Sequence, residues 1–216
     1  SILFKSSNKD IWSSSLTTLP AGKTKDEFDK LSVLDRFEHQ LKTSNLNTKH
    51  TLSPDFSWAC SDISNIKTEY NLNKYILLFP FCSPHLTIKR WPYYNELIEK
   101  IQNKFSDEFK IVLAPGPGEI KDASKFNSLC ILDNGKALDI SQLSTLIKDS
   151  SFIIANDTGP AHMAAHLGTK GLTLFGSHTS AKLVSIEREN FKAIQVSDLA
   201  KLSADKVFER MLQSIS

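Results

Sequence analysis

The chain reads as an α/β protein built on a Rossmann-like, doubly wound parallel sheet. Three observations lead there. From residue 75 onward, short apolar runs alternate with amphipathic stretches, the pattern of strands and helices laid in turn along a parallel sheet. Phe152-Ile153-Ile154-Ala155 and Leu172-Thr173-Leu174-Phe175 are near-continuous apolar runs, as expected of strands covered on both faces. Between them lies a polar turn, Asn156-Asp157-Thr158-Gly159, followed by Pro160 and an Ala-rich helix over 161–167 that stops at Gly168. This is a βαβ unit, and such a connection is almost always parallel and right-handed.

The elements follow in order. Residues 1–24 are rich in Ser, Thr and Lys and show little periodicity. Ala21-Gly22-Lys23-Thr24 has the look of the end of a P-loop, but Thr17 stands where the first glycine is needed, so the match is rejected. Phe28, Leu31, Leu34, Phe37 and Leu41 recur at helical steps and predict one amphipathic helix over 25–43. Residues 44–73 read as loop. The domain boundary is expected within 67–74, giving domains 1–70 and 71–216. Beyond it the predicted strands are 75–79, 109–114, 129–132, 152–155, 172–175 and 192–196. The predicted helices are 92–105, 120–126, 141–149 (capped by Asp139 or Ser141), 161–167 and 203–215.

Composition narrows the function classes. The chain has 216 residues, 40% hydrophobic and 23% charged, with formal net charge +2, so no basic footprint for nucleic acid is present. Three scattered cysteines, Cys60, Cys82 and Cys130, suit a reducing cytosol and offer neither a disulfide framework nor zinc spacing. No apolar run approaches the roughly 20 residues of a membrane span.

In a sheet of this kind ligands bind outside the carboxyl ends of the strands, and three polar loops are expected there. The loop 80–91 carries Ser83 and Lys89, a hydrogen-bond donor and a cation that suit phosphate. A solvated loop with a flexible lysine of little structural value accounts for them equally. The loop after the second strand ends in Glu119, suited to ribose hydroxyls or to capping a helix. The third, Asp157-Thr158-Gly159 with His162 in the first helical turn, places an anion site at a helix N-terminus. Asp157 or Thr158 could instead simply cap that helix, the Asp157 carboxylate accepting N–H bonds within the turn. His162 and His166 have metal-ligand spacing. With no glutamate after His162 and no third ligand, a metal is not expected, and His166 reads as a packing residue. There is no Asp-x-Asp pair and no GxGxxG.

Taken together these segments resemble glycosyltransferase family 9, the lipopolysaccharide heptosyltransferases. Asn156 to Gly168 matches the signature D-[ST]-G-x-x-H-x-[AT]-A-x-x-G. It is followed by a strand ending Leu174-Phe175-Gly176. Pro80 with Ser83, Lys89, Trp91 and Pro92 is similar to the loop ending K-x-W-P, Gly116 to Glu119 to the loop G-G-P-x-E, and Asp35-Arg36 to a D-R pair late in the first domain.

The resemblance implies a GT-B protein, with 71–216 its nucleotide-sugar-binding domain and 1–70 a remnant of the acceptor-side domain with linker. It implies that Lys89 meets the diphosphate and stabilises the leaving group, that Glu119 meets the ribose, and that Leu138 lies beside the adenine. Ser83, Asp157, Thr158, Gly159 and His162 complete the donor site. The expected activity is metal-free, cofactor-free, inverting transfer of a sugar, ADP-heptose being the usual donor, to a lipopolysaccharide-core or other glycan acceptor. The expected place is the cytoplasm, with peripheral association at the inner membrane. The family's base is an acidic residue near the start of its first domain. No segment here matches it, so this chain alone is expected to lack the base. Another GT-B glycosyltransferase with a different donor, or a nucleotide-binding module without catalysis, fits the same residues.

Overall fold

A computed structural model describes residues 2–6, 9–13 and 19–215, the first two segments by their backbone only. The chain divides into two units. One comprises 1–54 with 182–185, and the other 55–181 with 186–216.

In the first unit, β1 (Ile2–Ser6) pairs antiparallel with β2 (Lys9–Ser13), where the sequence suggested irregular chain. The single helix expected over 25–43 is two helices, α1 (Lys25–Asp29) and α2 (Val33–Thr43). The apolar period runs through the break and so conceals it. Ser32 makes it: its backbone is extended, at φ −60° and ψ 152°, and its hydroxyl accepts from the Asp35 N–H to start α2. Thr24, the residue that looked like the end of a P-loop, caps α1 in a reciprocal capping box with Glu27. Phe28 is buried edge-on to His39, and the Val33 N–H donates to the Leu183 carbonyl.

The second unit holds a six-stranded sheet. Its strands are β3 (Tyr75–Phe79), β4 (Lys110–Leu113), β5 (Leu129–Cys130), β6 (Phe152–Asn156), β7 (Gly171–Phe175) and β8 (Phe191–Gln195). The spatial order is β5-β4-β3-β6-β7-β8, and every pairing is parallel. The chain therefore winds outward from β3 in one direction, returns to β6 beside β3, and winds outward in the other. The helices are α3 (Ser64–Glu69), α4 (Tyr94–Phe105), α5 (Ile120–Ala123), α6 (Ile140–Lys148), α7 (Gly159–His166) and α8 (Ala204–Ile215). Alternate strand residues Ile76, Leu78, Phe152, Ile154, Leu172 and Leu174 form a core with Leu97, Ile98 and Ile101 of α4 and Val207 and Met211 of α8. The opposite face lies under α6 and α7, and there the buried Tyr75 hydroxyl donates to the Leu146 carbonyl. Asp139 caps α6 in a capping box with Gln142.

Residues 55–69, expected as loop before the domain boundary, belong to this unit. Helix α3 brings Lys67 within 2.6 Å of Asp149, and the Thr145 hydroxyl of α6 donates to the Ser61 carbonyl. The contact boundary falls between Pro54 and Asp55. Among the described residues no helix is long and apolar enough to cross a membrane.

Gly171 opens β7 between Ile153 and Phe191. A Cβ placed there would stand 2.7 Å from the Ile153 carbonyl oxygen and 2.7 Å from the Phe191 ring. Gly171→Ala should lower the unfolding free energy by about 1–3 kcal/mol in urea titration, the usual cost of overpacking. Gly118→Ala, with open space at its Cβ, is the control. Equal stability of the two variants would show that the sheet yields at this point.

Candidate functional site

The reversal of winding between β3 and β6 leaves a crevice at their carboxyl ends, the place where sheets of this class bind ligands. A cavity of about 450 Å³ opens there. Its wall combines apolar groups (Phe79, Phe81, Leu86, Leu138, Leu143) with a short row of polar ones: Ser83, Lys89, Glu119, Asp157 and Thr158. Gly159 also lines it. Few polar groups on an apolar wall are the usual makeup of a small-molecule site.

The loop 80–91 is held over the crevice by Asn156, the fully buried last residue of β6. Its amide donates to the Pro80 carbonyl at 2.8 Å, and its oxygen accepts from the Trp91 N–H at 3.3 Å. Both ends of the loop thus hang on one side chain. Trp91 is buried edge-on to Tyr94, and its indole N–H donates to the Leu202 carbonyl at 2.7 Å. Within the loop, the Cys82 thiol donates to the Leu86 carbonyl at 3.2 Å. A short helical turn, Thr87–Lys89, then delivers Lys89 to the cavity.

Lys89 and Asp157 meet. The lysine Nζ lies 2.6 Å from Asp157 Oδ2, with the two side chains 20% and 5% exposed. His178 Nε2 approaches the same oxygen at 3.0 Å, and His162 Nε2 stands 3.6 Å from Oδ1. Burial alone would raise the Asp157 pKa. The polar side chains facing it, His162, Lys89 and His178, and the charge of Lys89 outweigh it and hold the carboxyl far below its usual range. The carboxylate is thus fixed by side chains from three elements, not by N–H groups of its own turn as the sequence suggested. The lysine, expected as a flexible cation of little structural value, is the counter-ion of a buried charge.

The helix N-terminus also departs from expectation. Thr158 is the N-cap residue of α7, yet its side chain makes no capping bond. Its hydroxyl oxygen is buried and has no partner among the described residues. Pro160 sits in the first turn, where its missing N–H removes nothing the helix needs. Glu119 does not cap α5 with its side chain. Its Oε2 accepts the Gly116 N–H at 2.8 Å, which pins the carboxylate against its own loop at the cavity wall. Ser83, Lys89, Glu119, Leu138, Asp157, Thr158 and Gly159 thus share one cavity. His162, also expected there, does not line the cavity; its side chain is 35% exposed and its Nε2 stands 3.6 Å from Asp157 Oδ1. Sequence reasoning missed the apolar wall residues Phe79, Phe81, Leu86 and Leu143, and two polar residues that support the site, Asn156 and His178. His178 carried only one signal, its place in the loop after β7 at the same sheet edge.

His166 stands apart. Its Nδ1 lies 3.3 Å from an Arg188 guanidinium nitrogen. Burial, then the charges of Arg188 and His162, push its pKa down to about 4.

These features define an α/β domain of Rossmann-like topology with an anion-suited crevice at its switch point. The chain belongs to glycosyltransferase family 9 (heptosyltransferase), whose model matches residues 19–210. Solved structures agree on the fold. E. coli heptosyltransferase WaaC with ADP superposes with TM-score 0.62 at 19% identity, over 87% of this chain and 57% of that one. E. coli ADP-heptose LPS heptosyltransferase II gives 0.57 at 18%, over 70% and 50%. S. aureus MnaA with UDP gives 0.54 at 16%, over 87% and 52%. The chain therefore spans little more than half the length of these proteins. A comparison with curated protein sequences gave no match.

The two perturbed groups predict an acid limb of stability. His166 and Asp157 both bind protons more weakly folded than unfolded, so protonation favours the unfolded chain. The contribution of His166 is complete above its unfolded pKa of 6.5 and is lost as pH falls toward about 4. That of Asp157 is complete above its ordinary 3.8 and is lost at lower pH. Urea titrations at a series of pH values should show unfolding free energy falling across 6.5 to 4, and His166→Gln should flatten that limb. An unchanged limb in the variant would assign it to other groups.

Proposed function

We propose that the cavity takes the nucleoside-diphosphate end of a sugar donor, and that the chain is the donor side of a heptosyltransferase acting on ADP-heptose. The observation that carries this is the Lys89 ammonium, held by Asp157 at the cavity wall beside the N-terminus of α7. An ammonium has three donors, and Asp157 takes only part of that capacity. The remainder, with the positive end of the helix and the unpartnered Thr158 hydroxyl, suits a diphosphate. In this reading Glu119 at the cavity wall accepts from ribose hydroxyls, and Leu138 with Leu143 covers the flat face of a base. Ser83 adds a donor at the rim. Family membership favours a heptose donor, and the ADP found in the WaaC structure favours adenine.

The chemistry is inverting transfer. A base deprotonates the acceptor hydroxyl, that oxygen attacks the anomeric carbon, and the bond to the diphosphate breaks with its electron pair. Charge develops on the departing phosphate oxygen, where Lys89 and the helix terminus stabilise it. The acceptor is a lipopolysaccharide core or a comparable glycan. The reaction would run on the cytoplasmic side of the inner membrane, with no metal in the reading because no Asp-x-Asp pair is present.

Calorimetry tests the reading. ADP should bind more tightly than UDP or GDP, and EDTA should not change it. Lys89→Ala should weaken ADP by about tenfold to a hundredfold, the value of a charge-assisted contact. The same variant should also lose about 1–3 kcal/mol of stability, because Asp157 is left with its histidine donors alone. UDP binding as tight as ADP, or normal ADP binding by Lys89→Ala, would overturn the assignment. This chain alone is expected to bind ADP without transferring sugar; ADP binding with no transfer even in a longer protein that carries the family's acidic residue would make it a binding module.

A further inference from the structure

His178 is outside the cavity wall, yet it touches the carboxylate that organises it. We propose that His178 is a positioning residue: it fixes the Asp157 carboxylate, and through it keeps the Lys89 ammonium presented to the cavity. The proposal deepens the donor-site reading above and rests on it.

Four observations carry it. His178 Nε2 and Lys89 Nζ converge on one oxygen, Asp157 Oδ2, at 3.0 and 2.6 Å. The imidazole is locked, its side chain 8% exposed and stacked on Phe175 with 5.9 Å between ring centroids and 14° between planes. Its other nitrogen, Nδ1, is buried without a partner among the described residues and lies against Gly176. A ring present only to fill space would bury no unsatisfied nitrogen, so its one polar contact, with Asp157, is the feature that distinguishes histidine from leucine here. Facing a carboxylate, Nε2 carries the proton and donates.

The fourth observation is the depth of the acid. Asp157 is 5% exposed, so water cannot replace a lost donor. With His178 present, the demand on Oδ2 is shared and Lys89 retains donors for a ligand. Without it, the buried oxygen draws on Lys89 alone and the ammonium turns inward, away from the cavity. His162 cannot substitute, because it faces the other oxygen at 3.6 Å. A residue acting in this way changes ligand affinity without touching the ligand.

The test uses the 216-residue chain with two variants, His178→Leu and His178→Gln, whose amide can donate from a similar position. Two readouts are taken. One is ADP affinity by calorimetry. The other needs no ligand: the rate at which an amine-reactive reagent labels Lys89, followed by mass spectrometry. His178→Leu should bind ADP about tenfold more weakly, the value of one hydrogen bond to a charged group. Its Lys89 should label severalfold more slowly than wild type, and His178→Gln should restore most of both. Wild-type affinity and wild-type labelling in His178→Leu, even with a lower melting temperature, would make His178 packing only and overturn the proposal. Should the wild-type chain bind no ADP, the donor-site reading fails by itself. Labelling then decides: slower Lys89 labelling in His178→Leu sustains the positioning role, and an unchanged rate removes it.

Discussion

A carboxylate with almost no access to water is the constraint on which the site is built. Asp157 opens the turn after β6, and its charge must be met by protein donors. Lys89, 68 residues away in sequence, supplies one, and His178 and His162 supply others. This fixes where the loop 80–91 can lie, since Lys89 must reach Asp157. Asn156, next in the chain, ties down both ends of the same loop. Adjacent side chains of one strand end thus govern a loop from another strand, and with it most of one cavity wall.

The topology makes that possible. β3 and β6 are neighbours in space because the sheet winds outward from both, so the loops that leave them in opposite directions part and open a crevice. Strand composition keeps the crevice fixed. Ile76, Leu78, Phe152 and Ile154 are wholly buried under α4 and α8, and the other face is closed by α6 and α7. A site placed on such strand ends has little freedom to shift, which suits a function that depends on the position of one ammonium.

The sequence was most legible where burial writes a long pattern. The central strands stand out because both faces are covered and the apolar runs are continuous. The turn at 156–159 and the helix after it follow from Pro160 and Gly168. Legibility failed where the determinant is one side chain. Ser32 divides a helix whose apolar period continues unbroken, so periodicity could not detect it. Helix α3 is six residues long in a Ser- and Asn-rich stretch, too short for a period, and it forms because it packs on the sheet unit. Most of the cavity's polar residues were legible as loop positions at one sheet edge: Ser83, Lys89, Glu119, Asp157, Thr158 and Gly159 line one cavity, and Leu138, suggested by the family resemblance alone, lines it too. Their partners were not, because no local spacing announces that a loop histidine 21 residues downstream will stack on Phe175 and reach Asp157.

That difference alters the physical account of the site, not only its membership. Read locally, Asp157 serves its own turn and Lys89 is a free surface cation, so stability and ligand affinity belong to different residues. In the fold they belong to the same pair. The ammonium that offsets a buried charge also lines the cavity, and in the proposed donor site an incoming anion would compete with Asp157 for it. Such competition is tolerable only if Asp157 keeps other donors when Lys89 turns. His178 provides one on Oδ2, and the His162 imidazole stands 3.6 Å from Oδ1. If the donor-site proposal holds, the histidines do more than pack: they let one lysine offset a buried charge and still turn to a ligand, a division of labour that neither Lys89 nor Asp157 could sustain alone.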